Sequence, residues 1–259
     1  MEKRDKQTAL MTGASSGIGA EFAKIFAREG YDLVLVSRTA ERLEELKQQL
    51  ENQHGIRVSA LAVDLSEKNA ARLVYDRVFE KSISIDVLVN NAGLGLHGPF
   101  FSEDVKREEE MMMVNMVALT QLTRLFLPPM LARNEGKILN VASIASFVPG
   151  PRMAVYFATK AYVLSFSESI ADELRGTSLS VTTLCPGPTR TSFFKNTSRE
   201  FFKKYDDPAR VAECGYQSLI RGERIAVPDK KYEFLFFVAR FLPRWVIVRI
   251  VARMMSSVD

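Results

Sequence analysis

Residues 8–38 read TALMTGASSGIGAEFAKIFAREGYDLVLVSR. A short apolar run, Thr8–Thr12, passes into the glycine-rich stretch Thr12-Gly13-Ala14-Ser15-Ser16-Gly17-Ile18-Gly19. An amphipathic segment over Ile18–Gly30 follows, then the unbroken apolar run Tyr31–Ser37. The order strand, loop, helix, strand is that of a βαβ unit. A strand whose apolar residues do not alternate with polar ones is buried on both faces, as strands of a parallel sheet are. Glycines spaced G-x-x-x-G-x-G permit a tight turn and close backbone approach, and the helix behind them offers free N–H groups to a pyrophosphate. Taken alone, the stretch also reads as a plain glycine-rich strand-to-helix turn.

The alternation continues outward. Leu43, Leu46 and Leu50 at helical spacing predict a helix over Ala40–Gln53. Arg57–Val63 reads as a strand, and Ser66 as the cap of a helix over Glu67–Lys81. Asp86–Asn90 is a fourth strand. A long helix runs from Val105 to about Asn134, and Pro128 and Pro129 should end or kink it early. Lys137–Ala142 is a strand, Met153–Gly176 a helix and Ser178–Leu184 a strand. Asp207-Pro208-Ala209 opens a helix to about Gly222, with Pro in its first turn, and Ile225–Val227 is a seventh strand. This order predicts an α/β chain, a doubly wound parallel sheet with helices on both faces, in one domain over 1–259.

Composition narrows the class. The chain is 47% hydrophobic and 25% charged, ordinary values for a globular protein. A chain of this length buries roughly 70–75% of its unfolded surface, which argues against a disulfide scaffold. Cys185 and Cys214 form no CxxC pair, which fits a reducing compartment, and His54 and His97 are too few for a His/Cys metal cluster, so no metal site is expected. The apolar stretch Ala9–Met11 is too short for a signal-peptide core. No uncharged apolar run approaches the ~18 residues of a membrane span. A cytoplasmic protein is expected, with membrane association left open by its last segment.

The formal charge is +4 and the sequence pI about 9.0. Residues 1–223 hold 28 basic and 28 acidic side chains, while the last 36 residues hold seven and three. The surplus belongs to one short segment and gives no reason to expect nucleic acid as a partner.

Several polar residues fall where chemistry is expected. Tyr156-x-x-x-Lys160 places two side chains on one helical face. A phenol with pKa ~10 is a poor acid or base at neutral pH, and a neighbouring ammonium should lower it. Ser143 ends the fifth strand, Asn90-Asn91-Ala92-Gly93 the fourth and Pro186-Gly187-Pro188-Thr189-Arg190-Thr191 the sixth. These are carboxyl ends of parallel strands, where open α/β sheets bind ligands. Asn115 is a polar amide among Met111, Met112, Met113, Val114 and Met116; it reads as a functional group or as an exposed or locally bonded Asn. The second strand ends in Val36-Ser37-Arg38-Thr39. A ribose-binding acid is absent here, and an Arg suits a 2′-phosphate, although Arg38 also reads as a solvated residue opening the next helix.

In this order and spacing, TGASSGIG, NNAG, Asn115, Ser143, YxxxK and PGPTRT resemble the short-chain dehydrogenase/reductase family, in its branch of ~250-residue single-domain oxidoreductases. The resemblance covers residues 7 to about 191. It implies a seven-stranded Rossmann-like fold and NAD(P)-dependent hydride transfer between nicotinamide and a carbonyl or secondary alcohol. By the same resemblance, Tyr156 is the proton donor or base, and Lys160 lowers its pKa and bonds the nicotinamide ribose. Ser143 binds the substrate oxygen, and Asn115 holds a water that links Lys160 to solvent.

The resemblance also assigns the cofactor contacts. Gly13, Ser15, Ser16 and Ile18, with the loop glycines Gly17 and Gly19, surround the pyrophosphate and adenosine ribose. Asp64 meets the adenine amine, Asn91 and Gly93 the adenosine ribose, and Thr189 and Thr191 the carboxamide and phosphates. One departure is Ser16, where many NADP-preferring members carry a basic residue. NADP(H) through Arg38 is the expected preference, with NAD(H) left open.

Residues 192–222 correspond to the family's substrate lid. Phe193, Phe194, Phe201, Phe202 and Tyr205 there suit an apolar or elongated substrate, or simply lid packing. Cys185 is expected in the core, and His97 and Pro99 are candidates for the pocket border. The tail over 229–259 contains EFLFFVARFLPRWVIVRIVARMM, which Pro243 splits into two short helices. It reads three ways: packing on its own subunit and a symmetry mate, lying on an anionic membrane with its arginines snorkelling, or closing the substrate pocket. Such a tail resembles those of a subgroup near the 3-ketoacyl and long-chain ketone reductases. The partners expected are a small carbonyl or alcohol substrate, a second copy in a homodimer or homotetramer, and peripheral membrane contact through the tail. Two alternatives remain: a non-catalytic nucleotide-sensing or scaffold protein on the same fold, and a sugar-nucleotide epimerase. The latter is disfavoured by length and by a TGxxxGxG loop.

Overall fold

β1 (Thr8–Thr12) lies between β2 (Asp32–Ser37), with Leu10 opposite Val34, and β4 (Val87–Asn90), with Leu10 opposite Leu88. β3 (Val58–Ala62) flanks β2. On the other side follow β5 (Lys137–Val141), β6 (Ser180–Leu184) and β7 (Ile225–Ala226). All seven strands are parallel, in the order β3-β2-β1-β4-β5-β6-β7. Strand order reverses at β1, so the connections leaving β1 and β4 diverge and open a crevice at their carboxyl ends. The structure is a computed structural model and describes residues 6–191, 193, 205–239 and 241–256.

Helices cover both faces because the strands are apolar on both. α1 (Gly17–Arg28), α2 (Ala40–His54) and α7 (Pro208–Arg221) pack on one, where Phe22, Phe26, Leu43, Leu50 and Leu219 meet Met11 and Leu35. α3 (Ala70–Glu80) and α5 (Leu119–Arg133) cover the other, with Val74, Leu122, Phe126 and Met130 against Leu10, Val34 and Leu88. α6 (Ala154–Glu173) continues that layer beside β5 and β6.

Two expectations are corrected. Ser66 does not cap a helix: its N–H and O–H both donate to Asp64 Oδ1, at 2.9 and 2.7 Å, and α3 starts only after Asn69 in a left-handed turn. The prolines do not end the long helix either. It runs as α4 (Val105–Met112), a π turn over Met113–Ala118, and α5, with Pro128 and Pro129 inside α5. The missing N–H groups release the carbonyls of Arg124 and Leu125. Pro128 and Arg124 are exposed, so solvent can serve the first, while the buried face of Leu122, Phe126 and Met130 carries the helix onward.

The tail folds as α8 (Lys230–Ala239) and α9 (Arg244–Ser256), separated at Pro243 as the sequence predicts. Among the described residues, no helix is long and apolar enough to cross a membrane. Part of the expected lid, residues 192 and 194–204 with Phe194, Phe201 and Phe202, lies outside the described residues.

Candidate active site

The glycine loop is built on close approach. Gly13 has φ +67°, and a Cβ there would lie 2.8 Å from Asn91 Nδ2 and 2.9 Å from Ala92 Cα. A Cβ on Gly19 would strike the Gly13 carbonyl. Thr12 ties this loop to the end of β4: its hydroxyl accepts from the N–H groups of Asn91 and Ala92, both at 3.0 Å, and Asn91 Nδ2 donates back to the Thr12 carbonyl at 2.9 Å. Ser16 is the N-cap residue of α1, its side chain makes no cap hydrogen bond, and Ser16, Gly17 and Ile18 at the start of the helix line the crevice. Gly17, with φ +56°, lies against the Thr191 side chain.

At the end of β2, Arg38 Nη1 stands 3.8 Å from Asp64 Oδ2, and both side chains are solvent-accessible. At that distance and exposure the pair contributes little to stability.

The catalytic candidates meet beyond β5. Ser143 accepts from the Ala145 N–H at 3.1 Å and shares the cavity wall with Tyr156. Lys160 Nζ donates to the Val141 carbonyl at 2.9 Å and lies 5.9 Å from the centroid of the Tyr156 ring. Asn115 is buried in the π turn. Its Oδ1 accepts from the Leu94 N–H at 2.8 Å, and its Nδ2 donates to the Leu94 carbonyl at 2.9 Å and to Thr159 Oγ1 at 3.0 Å. π turns recur where a helix must offer an irregular backbone to a site.

The ionisation of this cluster departs from the expectation that Lys160 lowers the tyrosine pKa. Burial pushes Tyr156 up to about 12, against a smaller lowering by the Ser143 hydroxyl. Burial also pushes Lys160 down to about 8. The ammonium is turned to the Val141 carbonyl, and desolvation sets the direction of both shifts. Tyr156 therefore carries its proton at neutral pH.

Most of these groups line one cavity of about 860 Å³. It runs from Gly13, Ser15 and Arg38 past Asn91 and Gly93 to Ser143, Tyr156 and Lys160, then to Thr189 and Thr191. Asn115 is not on the wall; it holds Leu94, which is. His97 and Pro99 are not on the wall either, and Leu96 reaches it instead. Phe193 faces Tyr156, ring centroids 5.4 Å apart.

The far wall is made by the tail, which borders the pocket as one of its three readings has it. Tyr232, Leu235 and Val238 of α8 and Ile247, Val251 and Met255 of α9 line the cavity. Met255 is buried with Ala145, Met153 and Phe157, and Val251 and Tyr156 pack beside them. The individual residues of this face were not among the expected site residues, although the recurrence 247, 250, 251, 254, 255 is one apolar helical stripe. Nor was Arg42, one turn beyond Arg38 on α2 and on the same cavity wall; an exposed Arg on a polar helix gives no signal.

With this geometry in view, comparison with known proteins decides the lineage. The short chain dehydrogenase family matches residues 7–201. The chain belongs to the short-chain dehydrogenase family. As such it is an oxidoreductase. It is 32% identical over 223 residues to a very-long-chain 3-oxoacyl-CoA reductase of Anas platyrhynchos, an alignment covering 83% of this chain and 70% of the relative. Among solved structures, a short-chain dehydrogenase of Sphingobium yanoikuyae in complex with NADPH superposes with TM-score 0.83 and 32% identity, over 90% of this chain and 94% of that one. The bulky-bulky ketone specific alcohol dehydrogenase of Comamonas testosteroni superposes with TM-score 0.79 and 29% identity, over 90% and 92%.

Proposed function

We propose that this short-chain dehydrogenase moves a hydride between a nicotinamide cofactor, NADP(H) by preference, and the carbonyl or secondary alcohol of an apolar, elongated substrate. The observation that carries the reading is that Ser143, Tyr156 and Lys160 share the wall of a cavity that joins the glycine loop to an apolar end.

The residues present fit a dinucleotide. Side-chain volume is missing along the wall where it would pass, at Gly13, Gly17, Gly93 and Gly187, and at Gly13 and Gly17 a positive φ favours glycine as well. The α1 N-terminus and the loop around Ser15, Ser16 and Ile18 would hold the pyrophosphate. Asp64 would meet the adenine end, Asn91 and Gly93 the adenosine ribose, and Thr189 and Thr191 the nicotinamide side. Arg38 and Arg42 would together hold a 2′-phosphate, Arg42 making up for the basic residue that Ser16 lacks. When bound, the nicotinamide supplies or accepts the hydride.

The chain's own residues handle the proton. Ser143 orients the substrate oxygen, and Tyr156, protonated at neutral pH, donates to that oxygen as negative charge develops there. Lys160 would hold the nicotinamide ribose. Asn115 sets the Leu94 loop; because its amide is committed to Leu94 and Thr159, a proton-relay water would be held by the π-turn backbone.

The tail-lined end of the cavity supports the substrate class. Leu, Val, Ile and Met side chains offer no hydrogen bonds, which suits an alkyl chain or bulky ketone. That agrees with a 3-oxoacyl-CoA reductase and a bulky-ketone dehydrogenase among the similar proteins. The test is NADPH oxidation with ketones of increasing chain length. Rising kcat/KM with length supports the reading, and equal rates on short and long ketones count against the substrate class.

A further inference from the structure

α8 and α9 have two unlike faces. The inner face is the cavity wall described above. The outer face carries Phe234, Phe237, Phe241 and Trp245, exposed by 70, 58, 76 and 61%, none of them on the cavity wall. Four large aromatics at that exposure form an apolar patch of the kind soluble surfaces avoid unless something covers it.

The patch is also cationic. Residues 229–256 hold six basic side chains against Asp229 and Glu233, and Asp229 is already engaged by Lys231 at 2.7 Å. Arg249 lies over the Trp245 ring, 5.0 Å from its centroid, so charge and aromatic surface sit together. Arg244 is exposed at the start of α9.

We propose that this outer face docks on an anionic lipid surface, so that the membrane contact and the wall of the substrate cavity are the same two helices. Aromatic rings enter the interfacial region while arginines meet lipid phosphates. A second copy of the chain fits less well, because a two-fold contact would set Arg244 and Arg249 against the same residues of the mate, with one unengaged carboxylate to offset them. α9 is seated on the body at Met255 and Val251, beside Met153, Phe157 and Tyr156, while Leu235 and Met254 on the cavity side remain more than half exposed. A bilayer against the outer face therefore lies one helix away from the site, and an apolar substrate dissolved in it reaches the cavity without crossing water. This last step rests on the function proposed above; the docking itself does not.

The test is sedimentation of the full chain with vesicles of phosphatidylcholine alone or mixed with phosphatidylglycerol. The native chain should pellet at least about tenfold more with the anionic vesicles, because its basic residues are drawn to such a surface. F234S/F237S/F241S/W245S should stay in the supernatant. It should keep native turnover of a water-soluble ketone yet lose turnover of a long-chain ketone supplied in vesicles. R244E/R249E should lose the anionic preference with the aromatics intact, which covers a folding defect in the first variant. Equal pelleting of the native chain with both vesicles, or undiminished pelleting of both variants, overturns the proposal. So does a native dimer that the aromatic variant dissolves without any vesicle binding. If no ketone is turned over but the vesicle results hold, the assigned reaction fails and the docking stands.

Discussion

Asn115 grips both backbone polar groups of Leu94, accepting from its N–H at 2.8 Å and donating to its carbonyl at 2.9 Å. One buried side chain in the π turn thus fixes the loop that leaves β4, and through it the cavity wall beside Lys160. Asn115→Leu keeps the branched outline and removes these bonds with that to Thr159, leaving the two Leu94 backbone groups unpaired. It should cost about 2–4 kcal/mol in urea denaturation, from two groups at about 1–2 each. kcat should fall together with stability, and Asn115→Asp, which keeps the acceptor, should recover part of both. A fully stable and active Asn115→Leu would show that this amide does not set the loop.

Arg38 and Arg42 are assigned to the 2′-phosphate. Arg38→Asp should raise KM for NADPH by about tenfold or more and shift preference to NADH, since the acid can bond a ribose 2′-OH and repels a phosphate. Arg42→Ala should raise KM for NADPH without changing KM for NADH. If KM for both cofactors is untouched by Arg42→Ala, that residue is a solvated helix arginine.

Lys160 links stability to pH. Its ordinary value is 10.5, and burial lowers it to about 8. Below pH 8 both folded and unfolded chains hold the proton, and the folded state bears the cost of a buried ammonium. Between 8 and 10.5 the unfolded chain holds a proton that the folded chain has lost, so this residue's contribution to stability rises with pH. Cys185 and Tyr156, both pushed up to about 12 by burial, act oppositely at alkaline pH. A comparison with Lys160→Met isolates the lysine. The native-minus-variant unfolding free energy should climb by on the order of 3 kcal/mol across that window, and a flat difference would contradict the assignment.

Two glycines with positive φ separate strain from crowding. Gly30, at φ +84°, has nothing within 4 Å of the point where a methyl group would sit, so Gly30→Ala should cost about 1 kcal/mol for the left-handed backbone alone and leave turnover intact. Gly13→Ala adds overlap with Asn91 and Ala92. It should cost more in thermal denaturation and weaken cofactor binding in fluorescence titration. Equal effects of the two would mean that the loop tolerates a side chain.

Much of this was legible in the sequence because it is periodic or local. The unbroken run at β2 marks a strand buried on both faces, and the strand-loop-helix order fixes a parallel sheet. Tyr156 and Lys160 meet on one helix because they are four residues apart. The misses are tertiary. Ser66 is a good cap in isolation, but Asp64, two residues before it, takes its hydroxyl. Pro128 and Pro129 break helices in general, but an apolar face of Leu122, Phe126 and Met130 outweighs two missing bonds. The sign of the Tyr156 shift depends on burial, which spacing does not encode. The tail's inner stripe was visible as a helical face, but nothing in its sequence says which surface it covers.

The most direct test is single-turnover oxidation of NADPH with a long-chain ketone by the native chain and by Tyr156→Phe, with cofactor affinity measured separately. A proton-donor role for Tyr156 predicts a rate lower by about 10²–10⁴ in the variant, with NADPH binding unchanged. A variant that turns over at the native rate would contradict that role, and with it the reaction proposed for this site.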